Sequence, residues 1–109
     1  MRKTIRRGAP SAPVFTFEAK VWLYPGDEAW HFVSLPKELS DELDVLFADL
    51  KRGFGSLKVR VTLAEISWET SIFPSKERGT YMLPLKAAVR KKTGLSVGDT
   101  RHFILEILI

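Results

Sequence analysis

The feature that most constrains this chain is a two-residue alternation of apolar and polar side chains. Leu57, Val59, Val61 and Leu63 alternate with Lys58, Arg60 and Thr62. Successive strand residues point to opposite faces, so this pattern buries one face of a strand and wets the other. Phe15, Phe17, Ala19, Val21 and Leu23 repeat the pattern against Thr16, Glu18 and Lys20. In the last stretch Arg101, Phe103, Leu105, Ile107 and Ile109 alternate with His102, Ile104, Glu106 and Leu108. There both sets are largely apolar, which predicts a central strand. Shorter runs at Trp30 to Leu35, Ile66 to Phe73 and Thr80 to Leu83 complete a strand-rich reading. Tyr24-Pro25-Gly26-Asp27 supplies a turn, because proline presets its own φ and glycine accepts a positive one.

Two stretches depart from this period. Pro36 opens the first, and Leu39, Leu43, Leu46, Phe47 and Leu50 recur at helical spacing opposite Glu38, Asp41, Glu42, Asp44 and Asp49. Gly53 stands where a left-handed cap is expected. The second helix is predicted from Pro84 to about Thr93, with Gly94 as its cap and Leu95 as the apolar contact beyond it. It is basic, carrying Lys86, Arg90, Lys91 and Lys92, whereas the first is acidic. Strand, Leu-Pro, helix, glycine and strand thus occur twice, with 48 residues between Leu35-Pro36 and Leu83-Pro84. Two such copies predict a mainly β domain with two short helices, arranged as a closed, pseudo-twofold barrel that hides its strand edges.

The 109 residues suffice for one hydrophobic core. The absence of cysteine excludes disulfides, thiolate metal sites and a cysteine nucleophile. No apolar run is long enough to span a bilayer. The basic start is followed by Gly8-Ala9-Pro10-Ser11-Ala12-Pro13 rather than an apolar stretch, so a cytoplasmic location is expected. The net charge of +4 resides in Arg2, Lys3, Arg6 and Arg7, because the remaining 13 basic residues balance 13 acidic ones. Residues 1–13 are accordingly read as a flexible basic arm, and 14–109 as a formally neutral domain.

The second half carries a resemblance to a known family. Ile66-Ser67-Trp68-Glu69-Thr70-Ser71-Ile72-Phe73-Pro74 precedes Gly79-Thr80-Tyr81-Met82-Leu83-Pro84-Leu85-Lys86-Ala87-Ala88-Val89-Arg90-Lys91. Gly94-Leu95 and Gly98-Asp99 then lead into the final apolar strand. This string resembles domain of unknown function 1905, and the weaker Trp30 to Leu39 segment fits that family's first half. The resemblance implies a double-split β-barrel, distantly related in fold to the AbrB-type DNA-binding proteins. It implies no activity, because the family has none established.

Lys86 and Arg90, four positions apart, are expected on one helix face. With Thr70 and Ser71 they could hold a phosphate or carboxylate, the arginine as a fork and the lysine as a point charge, while Trp68 and Tyr81 give the ligand an aromatic wall. Glu69 and Thr70 point to opposite faces of a strand and make a poor base–nucleophile pair. His31 and His102 lack carboxylates at ligand spacing, and no phosphate-loop or dinucleotide fingerprint occurs. No catalytic residue, metal or cofactor is therefore expected.

The first functional expectation is a noncatalytic binding module for a small anionic ligand or peptide, working as a monomer or weak homodimer without a membrane. The alternative, less favoured, is a nucleic-acid-binding module using Arg2, Lys3, Arg6, Arg7, Lys91, Lys92 and Arg101 beside the second helix. A third is a protein-interaction module that docks a partner through one of its two oppositely charged helices.

Overall fold

The computed structural model describes residues 13–26 and 30–108. The arm residues Arg2, Lys3, Arg6 and Arg7 lie outside the described residues. Pro13 is already part of the sheet, since its carbonyl accepts a hydrogen bond from the Ile107 N–H at 2.9 Å.

Seven strands and two helices follow one another along the chain. They are β1 (Val14–Lys20), β2 (Trp22–Leu23), β3 (His31–Ser34), α1 (Lys37–Leu46), β4 (Leu57–Leu63), β5 (Ile66–Ser75), β6 (Thr80–Pro84), α2 (Ala87–Thr93) and β7 (Thr100–Ile107). The strands form one antiparallel sheet in the order β1-β7-β4-β5-β6-β3-β2. β5 changes partner along its length: it pairs with β4 as far as Ile72 and with β6 from Phe73.

The sheet is an open half-barrel, which corrects the expectation of a closed one. Its two outer strands in ladder order, β1 and β2, are consecutive in the chain and separated only by Val21. A strand cannot pair laterally with its own continuation. Val21 instead gives its N–H to the Asp99 carbonyl and accepts from the Gly98 N–H, both at 2.9 Å, which pins the bend to the turn before β7.

The alternation seen in sequence delivers the core. Leu57, Val59, Val61 and Leu63 of β4 are buried, as are Phe103, Leu105 and Ile107 of β7. β7 lies between β1 and β4 as a central strand should, yet only one of its faces is covered, and Ile104 remains exposed. Phe17 stacks on Phe103 with ring centroids 5.4 Å apart, joining β1 to that core.

The two strand–helix units meet reciprocally across β3 and β6. The Leu35 N–H donates to the Tyr81 carbonyl and the Leu85 N–H to the His31 carbonyl, each at 2.9 Å. Equivalent positions are therefore 50 apart (Leu35 with Leu85, His31 with Tyr81), and the helices begin at Lys37 and Ala87 in the same relation. The two Leu-Pro pairs, 48 apart, are not equivalent: Leu83 lies opposite Val33 inside the ladder, and Pro84 ends β6 instead of starting a helix.

The helices differ from one another. α1 buries Ser40 and Leu43, and Phe47 beyond it, but Leu46 of the expected apolar stripe is exposed. It ends at Leu46, and two short 3₁₀ turns, Ala48–Leu50 and Gly53–Gly55, lead to β4. The left-handed positions in that connection are Phe54 and Gly55, not Gly53. α2 is seven residues long, buries no side chain, and ends at Gly94, whose left-handed φ of 75° carries its N–H to the Arg90 carbonyl. Leu95 beyond it is buried, as the cap motif requires. Among the described residues no helix is long and apolar enough to cross a membrane.

Candidate functional site

The partner change in β5 opens the surface. Ser71 still faces Lys58 of β4, but Phe73, two residues on, faces Met82 of β6. A cavity of about 690 Å³ lies at this split. Its apolar wall comes from three neighbouring strands: Phe32 of β3 beside its cross-strand partner Pro84 of β6, and Phe73 of β5 beside Met82. Trp30 and His31 at the start of β3, and Leu85, extend that wall. The polar lining is Lys58, Glu69, Thr70, Ser71 and Lys86.

Three of the six residues expected to form an anion site, Thr70, Ser71 and Lys86, line this cavity together. The structure does not bring the other three to it. Tyr81 is only 1% exposed and lies under α1: its N–H donates to Ser40 Oγ at 3.0 Å and its phenol to Asp44 Oδ1 at 2.7 Å. It fastens α1 to β6 and offers no wall to a ligand. Trp68 packs against the core from the inner side of β5, opposite Val61. Arg90 turns back along its own helix and donates from Nε to the Leu85 carbonyl at 3.1 Å. Lys86 and Arg90 do not share a helix face, because α2 starts at Ala87 and Lys86 precedes it in an extended conformation. Lys91 and Lys92 sit in the last turn of α2, favourable there for the helix dipole, and Arg101 lies on β7 opposite Ala19. None of these three lines the cavity.

The electrostatics of the cavity follow from which charges are already engaged. Glu69 is held by Arg60 at 2.6 Å, and Arg60 also reaches Glu106 at 3.5 Å. Glu69 above all, with Glu106, pushes the Arg60 guanidinium still higher than its ordinary value. Glu69, the one carboxylate among the described residues on the cavity wall, is thus neutralised from the neighbouring strand. Among the described residues, neither Lys58 nor Lys86 has a carboxylate partner. The cavity therefore presents two ammonium groups beside an aromatic wall, with Ser71 on the same face of the sheet as Lys58 and Thr70 on the opposite face of β5.

Trp30, Phe32, Phe73, Met82 and Lys58 belong to the site but were not expected there. The β2–β3 hairpin contributes the first two as part of a ring cluster, with Trp30 against Phe32 at 6.3 Å and Tyr24 against Trp30 at 5.7 Å. The sequence signal for this was an aromatic density of Trp22, Tyr24, Trp30 and Phe32 within eleven residues.

A small, curled-sheet domain with a mixed aromatic and cationic cavity is the class that this geometry defines. The chain belongs to domain of unknown function 1905, whose family model matches residues 17–105. No curated protein matches the chain.

Proposed function

We propose that this domain is a noncatalytic binding module for a small anionic ligand, held at the split in β5. The observation that carries this reading is the meeting of Lys58, Lys86, Thr70 and Ser71 on one cavity whose only wall carboxylate among the described residues, Glu69, is already paired with Arg60. Two ammonium groups with no carboxylate partner among the described residues attract an anion more than they stabilise the fold, and Ser71, on the face of Lys58, can add a hydrogen bond. Lys86 is fixed at its Cα by the reciprocal β3–β6 bonding of the adjacent Leu85, so its charge is delivered by framework and not by a loose loop. That bonding also supports a pseudo-twofold relation between the two strand–helix units, and both border the site, the first through β3 and the second through β6 and Lys86.

Calorimetric titration of the full chain with inorganic phosphate and with carboxylates tests the proposal. Saturable binding that is weakened by both Lys58→Ala and Lys86→Ala is expected. Binding that persists in the double variant, or tracks Lys91 and Lys92 with a steep salt dependence, favours the nucleic-acid alternative instead. No binding to any anion contradicts the proposal.

A further inference from the structure

Resting on the anion-binding reading, we infer that the cavity selects anions carrying a flat aromatic ring, with Trp30 as the ring's stacking surface. Trp30 is 53% exposed, although it sits at the start of a strand whose next residues are half-buried or buried. A large exposed ring usually packs against its own protein if it can. Here the ring is instead held against aromatic neighbours while lining the cavity. Tyr24 and Phe32 flank it, and the Tyr24 N–H donates to the Trp30 carbonyl at 2.8 Å.

The support continues one layer further out. Trp22 lies 5.3 Å from Phe32, its indole N–H donates to Ser34 Oγ at 3.0 Å, and the Arg78 guanidinium stacks 3.8 Å over its ring. Four aromatic rings on one short hairpin are thus braced by a hydrogen bond and a cation–π contact. Bracing of this kind reduces the ordering entropy that a stacking ligand must overcome. Phe73, Met82 and Pro84 make the rest of the wall apolar and flat enough for a ring, and the thioether of Met82 adapts to its edge. Lys58, opposite Ser71, and Lys86, next to Leu85, line the same cavity and supply the charge for the ring's acidic substituent. Charge complementarity commits the occupant: a neutral ring leaves both ammonium groups unanswered, and a simple anion leaves the aromatic wall unused.

The test compares phenyl phosphate with inorganic phosphate by calorimetric titration of the full chain. Phenyl phosphate is expected to bind at least about tenfold more tightly, the scale of one aromatic stack. Trp30→Ala reduces that ratio to about threefold or less, and Trp30→Phe, which keeps a ring, restores most of it. Lys86→Ala weakens both ligands. Equal affinity for the two anions overturns the aromatic selectivity and leaves the anion reading standing. A preference that survives Trp30→Ala overturns the assignment of the stacking surface. Failure of both anions to bind overturns the inference and the anion reading together.

Discussion

Residues 81 and 31 occupy reciprocal places on β6 and β3, yet the first is sealed and the second borders a cavity. The difference lies in the helices. α1 runs for ten residues and brings Ser40 and Asp44 onto Tyr81, and Asp44 in turn is gripped by Lys51 at 2.8 Å. In the second unit the positions 50 further on are Arg90 and Gly94: one folds back onto Leu85 and the other, a cap, has no side chain to offer. α2 buries nothing of its own. The longer helix α1 of the first unit seals β6 of the second, whereas the shorter α2 leaves β3 of the first uncovered at His31, and the candidate site borders that open strand.

The sharpest way to break this comparison is to remove Tyr81. Tyr81→Ala deletes a fully buried ring and its phenol tether to Asp44 of α1, leaving the backbone bond to Ser40, and should destabilise the protein by about 3–5 kcal/mol in urea denaturation. His31→Ala, at the reciprocal position but only half-buried, should lose about 1 kcal/mol or less. Similar losses at the two positions would show that β3 is as tightly covered at His31 as β6 is at Tyr81.

Next in size is Ser40→Ala. It leaves the buried Tyr81 N–H without its acceptor, and a loss of about 1–3 kcal/mol is expected from the same denaturation measurement.

Tyr81→Phe isolates the phenol–Asp44 bond, worth about 1 kcal/mol near neutral pH. Burial first, then Asp44, pushes the Tyr81 phenol up. The stability it contributes is therefore complete below about pH 10, the ordinary tyrosine value, and is lost as pH rises beyond it. Hydrogen bonds from Lys51 and then Tyr81 hold the Asp44 carboxyl below its usual range. That contribution is present above about pH 4 and is lost as pH falls below it. The stability gap between wild type and Tyr81→Phe should accordingly be widest in the middle of the range and narrow toward both extremes. A gap independent of pH would remove the phenol–carboxylate bond from the account.

The smallest effect belongs to the cavity lysines. Lys58→Ala and Lys86→Ala should each change stability by no more than about 0.5 kcal/mol, because both side chains are exposed and have no carboxylate partner among the described residues. Their cost should appear in anion affinity instead. A loss of more than about 1 kcal/mol would mark them as structural residues.

Strands whose two faces differ in polarity could be read directly, since alternation at β4 and in β1 is a local property of the chain. The Leu-Pro repeat pointed to two like units but misplaced their alignment, because the partnership of Val33 with Leu83 is a register between distant strands. That the sheet stays open was not legible either: Val21 between β1 and β2 donates to Asp99 and accepts from Gly98, a pairing between distant parts of the chain. At the site, Thr70, Ser71 and Lys86 were found from residue chemistry alone. Tyr81 looked identical to a ligand-facing ring until Asp44, 37 positions away, appeared beneath α1. Phe32, Phe73 and Met82 were legible in sequence only as members of strand runs, and the split in β5 places them on a cavity wall.

The most direct test of the unequal halves is an amide chemical-shift titration of the full chain with phenyl phosphate. The account predicts saturable shifts at Trp30, Thr70, Ser71, Phe73, Met82 and Lys86, with Ser40, Asp44 and the backbone of α1 unmoved. Shifts that centre on Lys91, Lys92 and Arg101, that extend equally into α1, or that never appear would contradict it.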